Sequence, residues 1–446
     1  MRGRLLRATL AAASAAALLA VAAAAAGGTG NDGPRDPSGG SGPAKNVILV
    51  IGDGMGASEI TIARNYAAGA GGRLTLDTLP LTGQMTTYSV EESEPDTPDY
   101  DPDSAATGTA WSTGEKTSDG RISTTPLTDE DLTTILELAQ RRAMPTGDVS
   151  TAELTDATPA SPVSHVASRT CQGPEDMAEC PQDEKSAGGP GSIAEQSIDH
   201  EVDVLLGGGR QRYEQFIDAG PDAGKTVIEA AEDKGYDVVF DTAGLESVQP
   251  GQKALGLFTP GNMSVDWTGL PATNPPSGPQ RCDEGQRPAD EPSLAQMTAK
   301  AIELLDTSAG RRGFFLQVES ASIDKRDHAA EPCEQTGELI NLDEAVKVAL
   351  DFARSSRDTL VIVTADHAHT SQIVERDSEP PGASSILVTD EGAEMMVTYG
   401  TAPIGASQQH TGVTVPVGAS GPRARSVVGL IDQTDIFDII KAALRL

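Results

Sequence analysis

Three short, almost entirely apolar segments constrain the fold of this chain more than any other feature. They lie at 46–51 (NVILVI), 313–318 (GFFLQV) and 359–364 (TLVIVT). A near-continuous apolar run is typical of a strand that is covered on both faces. A fourth candidate strand, 202–206, ends at three successive glycines. The sequence therefore predicts an α/β fold with a central, mostly parallel sheet covered by helices on both faces.

The rest of the chain indicates one large domain. Apolar residues recur at helical spacing in 294–305 and 339–353. Pro- and Gly-rich segments predict surface loops at 91–102, 172–191 and 270–293. Beyond residue 44 the sequence contains no second linker, no internal repeat and no apolar run of membrane-spanning length. We therefore predict a single domain over 45–446.

The N-terminus indicates export. Three arginines within the first seven residues precede a stretch at 11–26 in which 12 of the 16 residues are alanine. A basic start, an apolar run and small-residue cleavage sites are typical of a signal peptide. A membrane anchor is the alternative, but alanine is only weakly hydrophobic. We interpret 1–26 as a cleaved signal peptide and 27–44 as a flexible leader, which predicts a secreted protein, extracellular or periplasmic, with no stable membrane anchor.

Cysteine usage agrees with export. The four cysteines are Cys171, Cys180, Cys282 and Cys333. An even number in an exported protein predicts two disulfides. A zinc site is the alternative, but no CxxC spacing occurs. Three pairings of four cysteines are possible, and the spacing alone does not choose among them.

The charge balance excludes two broad classes of function. The chain has 33 Lys and Arg against 66 Asp and Glu, a formal net charge of −33. Such a protein is repelled by nucleic acids and by anionic membranes, so we expect no nucleic-acid-binding surface. An anionic substrate would require a local reversal of the electrostatic field.

Acidic residues follow each of the three best strands. Asp53 follows the first strand, Glu319 follows the second, and Asp366-His367 follows the third. The carboxyl ends of parallel strands form the edge of an α/β sheet where ligands bind. Carboxylates that converge there repel one another unless a cation compensates them. The sequence therefore predicts a metal site at this edge.

A nearby helical segment adds further candidate ligands. Asp324 and His328 are four residues apart and would project from one face of a helix, as a zinc site requires. Asp327 points elsewhere on that helix, and we interpret it as a solvated residue. His410, in a Gln-Gln-His-Thr-Gly loop, could supply another nitrogen ligand.

The remaining histidines carry less information. His165 and His200 lie in contexts without neighbouring carboxylates, and we predict structural roles for both. His367 and His369 are two residues apart, so we do not expect them to serve one metal in the same way.

Ser104 is the candidate nucleophile. It follows Asp103 and begins an alanine-rich segment, an arrangement equally typical of an ordinary helix N-terminus. A helix N-terminus also favours anions such as phosphate. The sequence has no G-x-S-x-G elbow and no Walker glycine pattern. If Ser104 is a nucleophile, a metal must activate it.

Together, these motifs closely resemble bacterial alkaline phosphatases, from about Lys45 to the C-terminus. The matching segments are IGDGMG (51–56), EITIARNYA (59–67), DSAATGTAWSTG (103–114), STAELTDATPA (150–160), HVASR (165–169), FFLQVESASIDKRDHAA (314–330), TLVIVTADHAH (359–369) and QHTG (409–412). They are long, ordered along the chain and specific.

The resemblance implies two Zn²⁺ ions and one Mg²⁺ ion. It implies that the ligands of one zinc are Asp324, His328 and His410, and those of the other are Asp53, Asp366 and His367. It implies that the magnesium ligands are Asp53, Thr158 and Glu319. Three divalent cations would also give this acidic protein a locally positive site.

The resemblance also implies the remaining roles. Ser104 would be the phosphorylated nucleophile, Arg169 would hold two phosphate oxygens, and Asp103 would orient Arg169. Asp156 and Lys325 match positions that act through water around the magnesium and the phosphate. The implied disulfides are Cys171–Cys180 and Cys282–Cys333.

The predicted function is thus hydrolysis of small phosphate monoesters through a phosphoserine intermediate, by a homodimer. A related two-metal phosphodiesterase or sulfatase, or a non-catalytic protein that binds zinc or phosphate, is the alternative. The acidic, Pro-rich loop before Ser104 (EESEPDTPDYDPD) departs from the family pattern, and we expect it to restrict bulky anionic substrates.

Overall fold

The computed structural model describes residue 40 and residues 42–446. The predicted signal peptide and most of the predicted leader lie outside these residues. Among the described residues, no helix combines the length and the apolar character that crossing a membrane requires.

The described residues form sixteen strands. They are β1 (Asn46–Gly52), β2 (Leu81–Thr86), β3 (Ser89–Val90), β4 (Pro98–Asp99), β5 (Thr146–Glu153), β6 (Val204–Gly208), β7 (Tyr236–Val239), β8 (Lys253–Leu257), β9 (Pro279–Gln280), β10 (Phe315–Ser320), β11 (Thr359–Ala365), β12 (Gln372–Val374), β13 (Ala383–Val388), β14 (Glu394–Tyr399), β15 (Val415–Ser420) and β16 (Gly429–Asp432).

Twelve α-helices accompany them in the same part of the chain. They are α1 (Ala57–Ala68), α2 (Ser104–Thr113), α3 (Ile135–Arg141), α4 (Ala157–Ala160), α5 (Ile193–Asp199), α6 (Arg210–Tyr213), α7 (Val227–Asp233), α8 (Thr242–Ser247), α9 (Leu294–Ala309), α10 (Ser322–His328), α11 (Pro332–Ser355) and α12 (Asp435–Leu444).

A ten-stranded sheet organises the molecule, in the order β16-β2-β15-β11-β1-β10-β5-β6-β8-β7. The seven strands from β11 to β7 are all parallel, whereas β15 runs antiparallel to both of its neighbours. All seven residues of β1 are buried, as expected of a central strand with both faces covered. The predicted mostly parallel α/β fold is confirmed.

The predicted strands are all present, with shifts of one or two residues at their ends. The 313–318 strand begins at Phe315, because Gly313 has a φ of +83° and its Cα lies close to the Lys45 carbonyl. The 202–206 strand runs from Val204 to Gly208, where the chain packs closely on the backbone at Ala152 and Gly261. Glycine here permits close approach within the sheet.

The predicted helices are longer than their patterns. The 294–305 segment is α9, which starts with a capping box between Ser293 and Gln296. The 339–353 segment is the C-terminal part of α11, which begins seven residues earlier at Pro332. The first turns of α11 contain buried polar residues, so they lack the apolar periodicity of the rest of the helix.

The predicted loops are mostly irregular but contain short ordered pieces. Segment 91–102 includes β4, which pairs with β3, and segment 270–293 includes β9, which joins the smaller sheet β12-β14-β13-β9. Segment 172–191 contains two 3₁₀ turns. The structure contains the disulfides Cys171–Cys180 and Cys282–Cys333, the pairing that the resemblance implies.

Candidate metal and phosphate site

The three predicted acidic positions meet at one edge of the sheet. Strands β11, β1 and β10 are direct neighbours, and their register pairs Ile51 with Glu319 and Gly52 with Ala365. Asp53, Glu319 and Asp366 therefore lie at the same level, all at most 3% exposed. This is the carboxyl edge at which α/β sheets bind ligands.

Asp324, His328, His369 and His410, which we name the three-histidine group, surround one point. One ligand atom of each lies within 4.8 Å of those of the others. Helix α10 presents Asp324 and His328 one turn apart, as predicted, with Asp324 Oδ1 3.3 Å from His328 Nε2 and 3.3 Å from His410 Nε2.

Second hydrogen bonds fix the rings of two of these histidines. His410 Nδ1 lies 3.0 Å from the Pro102 carbonyl oxygen, and His328 Nδ1 donates to the Gln408 carbonyl. An Nδ1–H that donates to a carbonyl leaves Nε2 free of its proton and able to ligate a cation. Both Nε2 atoms face Asp324.

His369 is bound differently, and the sequence reasoning did not include it among the ligands. The Thr370 N–H donates to His369 Nδ1 over 2.9 Å. This bond places the proton of the neutral ring on Nε2, which faces Asp324 Oδ1 at 3.2 Å. His369 is therefore suited to orient Asp324 rather than to ligate a cation. The sequence did contain one indication of this difference: His369 lies two residues from His367, and the two rings face different groups of ligands.

Asp53, Asp324 and His367 form a second set, which we name the Asp53 group, also with ligand atoms within 4.8 Å of one another. Asp366 adjoins it, with Oδ2 3.1 Å from His367 Nε2. Asp366 Oδ1 accepts from the Gly54 N–H and the His367 N–H, which leaves Oδ2 facing the group. The structure thus brings together the three residues predicted for this metal and adds Asp324 between the two groups.

Asp53, Thr158 and Glu319 provide only oxygen atoms, and we name them the oxygen group. Burial raises the pKa of Glu319 to about 7, although the Ser150 hydroxyl, which donates to this carboxylate, acts in the opposite direction. Ser150 was not predicted from the sequence. It pairs with Glu319 across β5 and β10, a register that no local motif reveals.

Several atoms at this edge lack a hydrogen-bond partner among the described residues. They are Asp53 Oδ1, Thr158 Oγ1 and Asp366 Oδ2, together with Asp324 Oδ1 and His369 Nε2, which lie 3.2 Å apart without the alignment of a hydrogen bond. Buried polar atoms without a partner are costly, by about 1–3 kcal/mol each for neutral groups and more for charges. Burial, with repulsion from Asp324 and Asp366, also raises the pKa of Asp53 well above its usual value. Divalent cations would relieve both penalties, so these residues fit the metal ions that the sequence predicts.

Ser104 is the first residue of α2, and Asp103 is the N-cap. Asp103 Oδ1 accepts from the Ala105 and Ala106 N–H groups at 3.1 and 3.0 Å. Ser104 Oγ lies 3.2 Å from His367 Nε2, and the residue is 4% exposed. The hydroxyl therefore lies against the Asp53 group at a helix N-terminus.

Asp103, Arg169, Asp156 and Lys325 form a continuous series of ion pairs, which we name the charge chain. Arg169 Nη1 lies 3.0 Å from Asp103 Oδ2, and Arg169 Nη2 lies 2.8 Å from Asp156 Oδ1. Lys325 Nζ lies 2.8 Å from Asp156 Oδ2. Burial acts to raise the pKa of Asp156, but Lys325 and Arg169 outweigh it and hold that pKa well below its usual range.

One interpretation from the sequence is wrong: Asp327 is not solvated. It points away from Asp324 and His328 along α10, as predicted, but it is fully buried because that side of the helix is covered by α11 and by the segment that carries Ser371. The partly exposed side of this helix carries Lys325, Arg326 and His328 instead.

His165 and His200 lie outside the metal and phosphate site. His165 Nδ1 lies 3.0 Å from the Ser123 carbonyl oxygen, and Nε2 lies 3.7 Å from Glu137 Oε1. His165 thus has a carboxylate neighbour that its sequence context does not show. The two imidazole rings are 6.1 Å apart.

Fold and site define a class of protein: an α/β metalloenzyme whose buried carboxylate and histidine ligands adjoin a serine and an arginine suited to phosphate. The sequence profile of the alkaline phosphatase family matches residues 44–407. The chain belongs to the alkaline phosphatase family and is a metal-dependent phosphomonoesterase.

The similarity to known proteins extends along nearly the whole chain. It is 52% identical to the alkaline phosphatase of Escherichia coli K12 over 91% of this chain and 87% of that protein. It is 51% identical to the streptomycin-6-phosphate phosphatase of Streptomyces griseus, over 91% and 92% of the two chains. The structure of the alkaline phosphatase from the Antarctic bacterium TAB5 has the same fold, with a TM-score of 0.68 and 23% identity over 90% of this chain and 99% of that one.

Proposed function

We propose that this enzyme acts through a phosphoserine on Ser104. The position of the hydroxyl carries the proposal: it lies at the N-terminus of α2, 3.2 Å from His367 Nε2, beside the residue that holds Arg169. In the first step Ser104 Oγ releases its proton to solvent and bonds to phosphorus, while the bond from phosphorus to the alcohol oxygen breaks and that oxygen takes up a proton. In the second step a water oxygen loses a proton and bonds to phosphorus, the bond to Ser104 Oγ breaks, Oγ takes up a proton again, and inorganic phosphate leaves.

We propose that two Zn²⁺ ions and one Mg²⁺ ion occupy the groups described above. Mixed nitrogen and oxygen donors suit zinc, which assigns one ion to Asp324, His328 and His410 and the other to Asp53, Asp366 and His367. The oxygen group suits magnesium. Bound there, such cations lower the pKa of a hydroxyl and stabilise negative charge on a leaving oxygen.

The charge chain supplies the phosphate-binding part of the proposal. Asp103 and Asp156 each hold one Nη atom of Arg169, so the guanidinium plane is fixed before substrate arrives. A fixed guanidinium can donate to two phosphate oxygens with little loss of side-chain entropy. Lys325 is fixed by Asp156 in the same way. We assign positioning roles to Asp103 and Asp156.

The test is to trap the phosphoenzyme. Protein incubated with p-nitrophenyl phosphate is quenched in acid and weighed by intact mass spectrometry. We expect one phosphoryl group on the wild type, none on Ser104→Ala, and normal labelling of Ser112→Ala, which alters another buried serine of the same helix. Normal phosphorylation of Ser104→Ala would refute the nucleophile assignment.

We propose further that the acidic loop 91–103 favours esters of cationic alcohols over polyanionic substrates. It carries seven Asp and Glu and no Lys or Arg. It adjoins the site, because the Pro102 carbonyl oxygen contacts His410 and the Tyr100 carbonyl oxygen approaches Gly412.

The selectivity is measured as the ratio of kcat/KM for phosphocholine-type and polyphosphate-type monoesters at low and high salt. We expect the preference for the cationic ester to shrink as salt screens the loop, and to shrink at low salt in a variant with Glu94→Gln, Asp96→Asn and Asp101→Asn. A ratio independent of both changes would contradict the proposal.

We also propose an exported homodimer. Two disulfides support an oxidising compartment. The exposed apolar side chains Val413, Val428 and Leu430 near the β16 edge of the large sheet support self-association. Light scattering of the purified protein and cell fractionation test these two points, and a monomer or a cytoplasmic protein would overturn them.

A further inference from the structure

Behind the three-histidine group lies a second polar cluster that the mechanism does not use. Ser371 Oγ donates to Glu59 Oε1 over 2.6 Å, and Gln335 Nε2 donates to Ser371 Oγ over 2.8 Å. The Tyr399 hydroxyl donates to Gln335 Oε1 over 2.6 Å. All four residues are at most 3% exposed. We name Tyr399, Gln335, Ser371 and Glu59 the relay.

With Glu59 ionised, the directions of the three bonds follow from its carboxylate, which can only accept. Ser371 Oγ gives its single proton to Glu59 and therefore accepts from the Gln335 amide nitrogen. The Gln335 amide oxygen is then left to accept from the Tyr399 hydroxyl. The relay therefore has one arrangement, which ends at the Glu59 carboxylate, and cooperative bonds of this kind stabilise one side-chain geometry.

The relay contacts the segment that carries His369 and the first turn of α1 after Asp53, and it lies beside the helix that carries Asp324 and His328. Ser371 lies two residues after His369, and its carbonyl accepts from Ser58 Oγ over 2.5 Å. Glu59 lies in the first turn of α1, directly after the loop that carries Asp53. Fully buried Asp327, next to His328, faces Glu59 closely enough for the two carboxylates to repel each other.

Close backbone packing joins these segments. A methyl group on Gly54, which has a φ of +68°, would lie 3.0 Å from Asp324 Cβ and 3.3 Å from His369 Cδ2. A methyl group on Gly56 would lie 2.6 Å from Glu59 Oε2 and 2.9 Å from Ala368 Cβ. Glycine at both positions allows the loop before α1 to lie this close to Asp324 and to the 368–369 segment.

We propose that Glu59 and Ser371 are positioning residues for the cation held by the three-histidine group. Their hydrogen bond fixes the 369–371 segment, which keeps His369 Nε2 3.2 Å from Asp324 Oδ1, and this charge contact holds the carboxylate in place. This inference rests on the proposed assignment of a zinc ion to Asp324, His328 and His410. Partners outside the ligand set commonly change metal affinity by about 10- to 100-fold.

The experiment measures Zn²⁺ affinity, which does not depend on turnover. Metal-free protein is titrated with Zn²⁺ against a chromophoric chelator, and Co²⁺ replaces Zn²⁺ in a parallel visible absorption spectrum. For Ser371→Ala and Glu59→Ala we expect about tenfold weaker binding at Asp324, His328 and His410, an altered Co²⁺ spectrum there, and less than twofold change at the ion proposed for Asp53, Asp366 and His367. Glu59→Gln keeps an oxygen that accepts from Ser371, so we expect it to restore most of the affinity.

Ser322→Ala is the matched control. Ser322 is 1% exposed and lies two residues from Asp324, but its hydroxyl has no hydrogen-bond partner among the described residues. We expect wild-type affinity at both groups. Thermal unfolding of the metal-free variants identifies any that do not fold. If Glu59→Ala does not fold, the Zn²⁺ affinities of Glu59→Gln and Glu59→Asp are compared instead, since Glu59→Asp shortens the side chain but keeps its charge.

The outcomes separate this inference from the proposed function. Wild-type affinity in Ser371→Ala and Glu59→Ala, or equal weakening at both groups, would overturn the positioning role. A folded wild-type protein that binds Zn²⁺ but forms no phosphoserine would overturn the phosphoserine proposal and leave the affinity test intact.

Discussion

The charge chain and the neighbouring metal ligands bury similar kinds of side chains but pair them differently. From Asp103 to Lys325, each carboxylate contacts a cationic side chain at 2.8–3.0 Å. At the sheet edge, Asp53, Asp324 and Asp366 each keep an oxygen that no described residue hydrogen-bonds. The first region is complete without a ligand, whereas the second requires cations to compensate its charge. The two regions should therefore respond in opposite ways to metal removal and to mutation.

Metal removal should have the largest effect. We expect chelation to reduce hydrolysis of p-nitrophenyl phosphate at alkaline pH by more than about 1,000-fold, because cation chemistry supplies several kcal/mol to the transition state. Zn²⁺ should restore activity, and Mg²⁺ should increase it further. The control is near-UV circular dichroism of the metal-free protein, which shows whether the fold persists. Full activity after complete chelation would mean that the unpaired carboxylates do not hold the reaction's cations.

Arg169→Ala should have the next largest effect and should separate the two regions. Loss of a fixed donor to phosphate typically costs about 100- to 1,000-fold in rate. We expect kcat/KM to fall by this amount while Zn²⁺ affinity stays within twofold, since Arg169 contacts no proposed metal ligand. Arg169→Lys should recover only part of the loss, because an ammonium does not reproduce two parallel donors. A parallel loss of zinc would show that the two regions are not independent.

Asp156→Asn tests the pairing within the charge chain through stability. The folded pKa of Asp156 is depressed, so its contribution to stability is present above the unfolded value of about 3.9 and is lost as the pH falls through the folded pKa. We expect metal-free Asp156→Asn to be less stable than metal-free wild type by about 1–3 kcal/mol at pH 7.

The measurement is urea unfolding of both metal-free proteins between pH 7 and pH 3. The difference between them should begin to shrink below about pH 4, because the unfolded chain then takes up a proton on Asp156 that the folded protein, with its lower pKa, does not bind. A difference that stays constant with pH would attribute the effect to lost packing rather than to charge. Glu338→Gln, at a buried α11 carboxylate whose pKa burial raises to about 7, is the contrasting control, because this variant should gain stability relative to wild type as the pH rises.

The sequence predicted the sheet edge well because strand ends and ligand residues adjoin along the chain. Asp53, Asp366 and His367 follow buried strands directly, and the i, i+4 spacing of Asp324 and His328 is a property of one helix. The part that could not be predicted depends on contacts between distant segments.

Ser150 reaches Glu319 only through the register of β5 and β10, and His369 differs from His367 only through the Thr370 N–H. Asp327 is a second residue whose surroundings the sequence could not predict. Helical spacing correctly turned it away from the ligands, but spacing does not reveal that α11 covers that face. The residue pattern predicts on which side of a helix a side chain lies, whereas the packing of other elements determines whether that side is buried.

Thr158→Val should have the smallest effect on catalysis and sharpens the comparison most. The Thr158 hydroxyl is buried, and within residues 42–446 it has no hydrogen-bond partner. Valine has nearly the same shape and removes the unpaired hydroxyl, so we expect the metal-free protein to become more stable by up to about 1 kcal/mol. The same change should raise the Mg²⁺ concentration needed for half-maximal stimulation by about tenfold and leave Zn²⁺-dependent activity within a few-fold.

Thr107→Val, at another buried threonine whose hydroxyl donates to the Asp103 carbonyl, should instead lower stability and leave the Mg²⁺ response unchanged. If Thr158→Val also destabilises the metal-free protein, the hydroxyl has a partner within the fold, and it would no longer belong with the unpaired atoms of the sheet edge.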